Sequence, residues 1–188
     1  LPAQRNDARM EAVAGPFVLS SVANIVWIFL WHYNAFPATL LAMLVLLASL
    51  IVIYLRLGTG RTRVSTAETW AVRVPFSIYL GWITVATIAN VTQVLYYLGW
   101  NGFGISPETW LMIMLAVAVV VAGLMAWTRR DAAYLLVLVW AFIGIALKHA
   151  AVPPVAIAAW VATAAVAVLV VWSGLTARRG VPSTGLRA

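Results

Sequence analysis

Six apolar runs follow one another along the chain, each long enough to cross roughly 30 Å of hydrocarbon at about 1.5 Å per residue. They fall at about 12 to 33, 37 to 57, 70 to 98, 107 to 127, 132 to 149 and 154 to 175, separated by short polar or glycine-containing breaks. The breaks carry helix punctuation. Ser65 and Glu68 have capping-box spacing before the third run, Ser106-Pro107 suits an N-cap and first turn, and Pro37 and Pro153-Pro154 open the second and sixth. The third run exceeds a perpendicular span and carries Pro75 near its start, so it is expected to begin as an interfacial turn around Trp70 and to bend near the proline. The expected architecture is all-α: a polytopic membrane protein with six transmembrane helices in one domain over residues 1 to 175. A solvated cytoplasmic tail follows from Thr176 to Ala188, and Gly58 to Gly60 read as a flexible connection.

Composition agrees with the pattern. With 64% hydrophobic and 9% charged residues and a mean hydropathy of +0.99, the chain cannot cover a soluble globule with polar surface. The absence of cysteine excludes disulfides and thiolate-held metals. The chain opens Leu-Pro-Ala-Gln-Arg, without an initiating Met or a cleavable signal pattern before its first apolar run, which leaves room for residues upstream.

The net charge of +7 acts first as a topology signal. With an even number of spans, eleven of the twelve Lys and Arg fall on one side, and Lys148 alone falls opposite. The positive-inside rule makes that side cytoplasmic, with both ends of the chain on it. The arginines are scattered over short loops, which argues against nucleic acid as a partner and for contact with lipid headgroups.

Polarity inside the third span is the main functional signal. From Ile78 to Asn90, helical spacing puts Tyr79, Trp82, Ala86 and Asn90 on one stripe, and the first span repeats the motif with Asn24, Trp27 and Trp31. An intramembrane asparagine serves either as glue between helices or as a polar contact in an aromatic-walled pocket for a flat, mostly apolar ligand. Of the ten tryptophans, Trp31, Trp70, Trp100, Trp110, Trp127 and Trp172 lie at span ends, as an interfacial aromatic belt would. Trp27, Trp82, Trp140 and Trp160 lie deeper.

Other chemistry is sparse. His32 and His149 sit at the expected outer interface, where interfacial polarity competes with an axial-ligand role. The five carboxylates lie at span ends or in loops, so the sequence presents no catalytic constellation and no metal site, and a non-enzyme is expected. Residues Gly99 to Gly104 read as a tight aromatic turn and not as a phosphate loop, since the P-loop Lys-Ser/Thr and a preceding strand are missing. Val52 to Arg56 matches a loose sterol-contact pattern, which a tyrosine and arginine closing a span explain equally well.

At these residues the chain resembles the TspO/MBR family, the tryptophan-rich sensory proteins. The family's last core helix reads approximately Pro-Tyr-x-x-Trp-x-x-Ala-Ala-Thr-x-x-Asn, and Tyr79, Trp82, Ala86, Thr87 and Asn90 stand at matching positions, with Ile78 in the place of the proline. An earlier family helix carries Asn-x-x-Trp followed by aromatics, matched by Asn24, Trp27 and Trp31, with Phe29 where that helix usually has Pro. The resemblance covers residues 12 to 98, corresponding to the last three of five family helices. The first two have no counterpart, and residues 99 to 175 read as extra helices of a longer bacterial variant.

The resemblance implies a bacterial inner-membrane protein that binds a tetrapyrrole or another hydrophobic ligand, with porphyrin, haem or bacteriochlorophyll as candidates, and acts as a sensor or regulator. The implied ligand-binding residues are Asn24, Trp27, Trp31, Tyr79, Trp82 and Asn90. Two other classes stay open: an accessory subunit of a larger membrane complex such as a photosynthetic reaction centre or light-harvesting assembly, and a transporter. Expected partners are the lipid bilayer, a hydrophobic small molecule, and other membrane subunits or a second copy in a homodimer.

Overall fold

The computed structural model describes the backbone of residues 8–179 and the side chains of residues 10–176. Arg5 and residues 180–188 of the expected tail lie outside them. Six helices follow in order: α1 (Ala8–His32), α2 (Phe36–Arg56), α3 (Thr66–Tyr97), α4 (Pro107–Arg129), α5 (Ala132–Lys148) and α6 (Pro153–Arg179). No strand occurs among the described residues. Five of the helices are long and apolar enough to cross a membrane, and α5 is a shorter apolar helix of 17 residues, about 25 Å at the α-helical rise. The protein is a polytopic helical membrane protein. Helix α6 continues through Arg179, past Thr176 where the tail was expected to begin.

The helix starts follow their local chemistry. Ser65 Oγ accepts the Glu68 N–H at 3.1 Å, and Ser106 Oγ accepts the Thr109 N–H at 3.2 Å. The Glu68 carboxylate lies 3.8 Å from the Arg73 guanidinium. The two internal prolines are accommodated differently. Before Pro75, residues Thr69–Arg73 form a π-helical turn in which the Val74 N–H bonds to the Thr69 carbonyl. One extra residue wound into the turn relieves the clash that the proline ring would make with the preceding turn, so the expected bend takes this form. Pro16, inside α1, leaves the Ala12 carbonyl without its i+4 donor. The Arg56 guanidinium, at the end of α2, donates to that carbonyl instead.

Helices adjacent in sequence are not all adjacent in space. α1 packs on α2, α2 on α3, α3 on α5, α5 on α6 and α6 on α4. The core runs through Leu46, Leu50 and Ile53 of α2, Leu80 and Ile83 of α3, and Leu135, Leu138 and Phe142 of α5. On α4, the buried Ala118, Ala122 and Ala126 recur every fourth residue, and α6 contributes Ala159 and Ala162. Small residues let helix backbones approach where lipid supplies no hydrophobic drive, and dispersion between close backbones holds the contact. Gly81 does the same for α3 and α5: a Cβ there would stand 3.1 Å from the Tyr134 carbonyl oxygen.

One end of the bundle collects the connection 57–65 and the junction of α4 with α5. The expected flexible connection at Gly58 to Gly60 is instead tied down. Arg73 Nη1 donates to the Thr62 carbonyl at 2.5 Å and Nη2 to Thr62 Oγ1 at 2.7 Å. Gly60, at φ +75°, passes so close to Arg129 that a Cβ would lie 2.0 Å from its carbonyl oxygen. A left-handed backbone and close approach explain glycine here better than flexibility does. At the opposite end, residues 99–104 form the expected aromatic turn. Trp100 packs on Phe103 and Trp110, both at 5.3 Å, and Trp110 Nε1 donates to the Gly102 carbonyl at 2.8 Å.

Candidate functional site

The polar stripe of α3 is shared between two neighbours. At 100° per residue Trp82 and Asn90 lie about 80° apart around the helix, and α3 is wedged between α2 and α5. Asn90 turns toward α2 and is buried; Trp82 turns toward α5 and is 44% exposed. Tyr79, partly buried, packs against the core.

Trp82 meets Trp140 of α5, ring centroids 5.3 Å apart. The two rings belong to a groove of about 640 Å³ lined by Trp70, Val74, Ile78 and Trp82 of α3 and by Ala132, Ala133, Leu136, Val137 and Trp140 of α5. Every lining residue is apolar or aromatic. Its volume lies within the usual range for small-molecule sites, about 300 to 1,000 Å³. Trp70, read from sequence as part of the aromatic belt, forms one end of the groove, and Trp140 faces Trp82 across it. Neither partnership has a signal in local spacing, because each joins residues of α3 to a helix that follows only after α4.

A second cluster forms where α1, α2 and α3 meet. Trp27 stacks on Trp31 at 5.2 Å, Trp31 meets the edge of Phe36 at 5.1 Å, and Phe36 meets Tyr97 at 5.3 Å. Beneath them Asn90 Nδ2 donates to Thr39 Oγ1 at 2.8 Å, and the Thr39 hydroxyl donates to the Phe36 carbonyl at 2.6 Å. Since the hydroxyl proton is spent on that carbonyl, Thr39 accepts from Asn90, which fixes the orientation of the amide. Asn90 Oδ1 is then left buried without a hydrogen-bond partner, as is Trp27 Nε1. A buried polar atom without a partner costs about 1 to 3 kcal/mol, so these two are the natural contacts for a molecule carrying its own donor and acceptor. Asn24, on the same helix as Trp27, is half-buried.

Thus four of the six residues expected to form one site fall in two separate places, while Asn24 and Tyr79 join neither by a ring contact or hydrogen bond among the described residues. Trp27, Trp31 and Asn90 lie in the cluster around α2, and Trp82 lies in the groove beside α5. Thr39, which completes the Asn90 network, was not expected from the sequence; a threonine three residues into a helix signals nothing by itself.

The Arg-rich end holds another polar group that sequence reading missed. Asp131 caps α5, its Oδ1 accepting from the Ala133 and Tyr134 N–H groups at 3.1 and 3.2 Å. Its Oδ2 accepts from Tyr54 Oη at 2.9 Å and Ser77 Oγ at 2.6 Å. One carboxylate therefore joins α2, α3 and α5. The N-cap role was legible from Asp131-Ala-Ala-Tyr, but the two hydroxyl partners come from residues 77 and 54 positions earlier. The same geometry turns Tyr54 inward, away from any ligand of the Val52 to Arg56 pattern. His32 is exposed with its ring against Tyr33, and among the described residues no group of three or more His, Cys, Asp or Glu could hold a metal ion.

Five helices long and apolar enough to cross a membrane, with a sixth shorter one packed among them, place the chain in the class of polytopic helical membrane proteins. The TSPO-like protein family model matches residues 1–172, nearly the whole chain. The chain belongs to this family. Comparison with curated proteins and with solved structures returned no match.

Proposed function

We propose that this TspO-like membrane protein binds a flat hydrophobic ligand of the tetrapyrrole class and acts as a sensor or regulator without catalysing a reaction. The observation that carries the reading is the position of Trp82, a residue of the family stripe, in a tryptophan-walled groove of about 640 Å³. Trp82 and Trp140 offer faces on which a macrocycle stacks, and offset aromatic contacts of this kind contribute about 0.5 to 1.5 kcal/mol beyond burial. The cluster of Trp27, Trp31 and Asn90 is the proposed second part of the site, supplying an indole donor and an amide acceptor, with Asn24 and Tyr79 as further proposed contacts on the same two helices. The positive-inside rule supports an orientation with the Arg-rich end cytoplasmic, and the TspO-like resemblance supports a bacterial inner membrane.

Titration of the purified protein with protoporphyrin, followed by tryptophan fluorescence, tests this reading. Saturable quenching is expected, with Trp82→Ala weakening apparent affinity about tenfold, a loss of about 1.4 kcal/mol. Unchanged affinity in Trp82→Ala together with loss in Asn90→Ala moves the ligand to the inner cluster. Unchanged affinity in both variants overturns the proposal.

A further inference from the structure

A second groove, of about 490 Å³, lies between α1 and α2 and is lined by Pro16, Leu19, Val45, Ala48, Ser49, Val52 and Arg56. Its walls are apolar apart from Ser49, whose hydroxyl is spent on the Val45 carbonyl at 2.8 Å, and Arg56, which carries the one charge in the lining. From Val45 to Arg56 the groove extends along α2 for about 16 Å, close to the depth of one leaflet of a bilayer whose hydrocarbon is about 30 Å thick. Arg56 stands at the end where the exposed Arg61 and Arg63 also lie. The guanidinium is held in place: one nitrogen donates to the Ala12 carbonyl that Pro16 leaves open. That bond neutralises none of its charge, and its remaining N–H groups are free to fork onto an anion.

We propose that this groove is a binding site for one anionic phospholipid, an acyl chain lying between α1 and α2 and the phosphate and acidic headgroup meeting Arg56. Charge complementarity selects the occupant. An apolar channel one leaflet deep with a fixed cation at its mouth matches a negatively charged lipid. It does not match a macrocycle, which would need a broad aromatic wall, or a second copy of this chain, which presents the same positive charge at that end. Pro16 has a role in this arrangement, since the carbonyl it releases orients the arginine that reads the headgroup. The site is separate from the Trp82 groove and does not depend on the ligand proposed there.

Native mass spectrometry of the full chain, released from nanodiscs containing equal amounts of phosphatidylglycerol and phosphatidylcholine, tests the site. Wild type is expected to retain one phosphatidylglycerol in preference to phosphatidylcholine. Arg56→Gln should lower that preference about fivefold, the worth of about 1 kcal/mol for one arginine at an anionic surface, and Arg56→Lys should keep most of it. Ala48→Phe, at an exposed position within the groove, leaves Arg56 and its anchor intact and should abolish retention of both lipids. Retained selectivity in Arg56→Gln, unchanged retention in Ala48→Phe, or a wild-type dimer that Ala48→Phe dissociates would each overturn the proposal. Size-exclusion elution and helical circular dichroism equal to wild type show that the variants are folded.

Discussion

Asp131 and Asn90 are both buried polar side chains that join α3 to a neighbouring helix, yet they are satisfied to different degrees. The carboxylate of Asp131 accepts four hydrogen bonds, two from the backbone of α5 and two from hydroxyls on α2 and α3. The amide of Asn90 makes one bond, to Thr39, and its carbonyl oxygen stays open. Complete satisfaction marks a structural clasp, because nothing further can bind without breaking what is there. Partial satisfaction leaves a contact that the fold does not use for itself.

This contrast can be tested by substitution. The largest effect is expected from Asp131→Ala, which leaves the Ser77 hydroxyl and two N-terminal N–H groups of α5 without their acceptor and the Tyr54 hydroxyl with only the weak Met125 sulfur at 3.6 Å. A loss of roughly 3 kcal/mol or more is expected in reversible denaturation in mixed micelles. A variant as stable as wild type would end the claim that Asp131 clasps three helices. Gly60→Ala tests the backbone beside the clasp, since a Cβ there meets the Arg129 carbonyl and φ is positive. A loss of about 2 kcal/mol is expected, readable as a lower midpoint of unfolding, and Gly60→Asn should cost no less because the close approach remains.

Asn90→Leu should cost less than about 1 kcal/mol in the same assay, as interhelical hydrogen bonds in membranes average about 0.6 kcal/mol and the unpartnered carbonyl oxygen is removed together with the bond to Thr39. A cost as large as that of Asp131→Ala would place Asn90 among the structural clasps and weaken the ligand reading. Trp27→Phe is the mildest change. It deletes a buried N–H that has no partner and keeps an aromatic ring against Trp31, so stability should be unchanged or slightly raised. A clear destabilisation would mean that an ordered water or a ligand occupies the indole N–H.

Much of the architecture is readable from local pattern. Hydropathy located all six helices within a few residues, and Ser65 and Ser106 cap the helices they precede. Family membership was legible too, from the Tyr79 to Asn90 stripe and its echo at Asn24 to Trp31. The candidate site was legible only in its members. Spacing puts Trp82 and Asn90 on one broad face, but a face about 80° wide reaches two neighbours when α3 sits between α2 and α5. Arg56 and Pro16 show the same limit. Each can be read alone, as a span-closing cation and a helix-interior proline, and their bond joins residues 44 apart.

Helix boundaries, membrane residence and the aromatic stripes follow from the chain's own order of residues, because hydrogen bonding within a helix and transfer into lipid depend on neighbours a few residues away. The spatial order α1, α2, α3, α5, α6, α4 decided the rest. It brought Trp140 to Trp82, Thr39 to Asn90 and two hydroxyls to Asp131, contacts set by close packing between distant segments. It left Trp27 Nε1 and Asn90 Oδ1 open, which no count of residues along the chain distinguishes from satisfied groups.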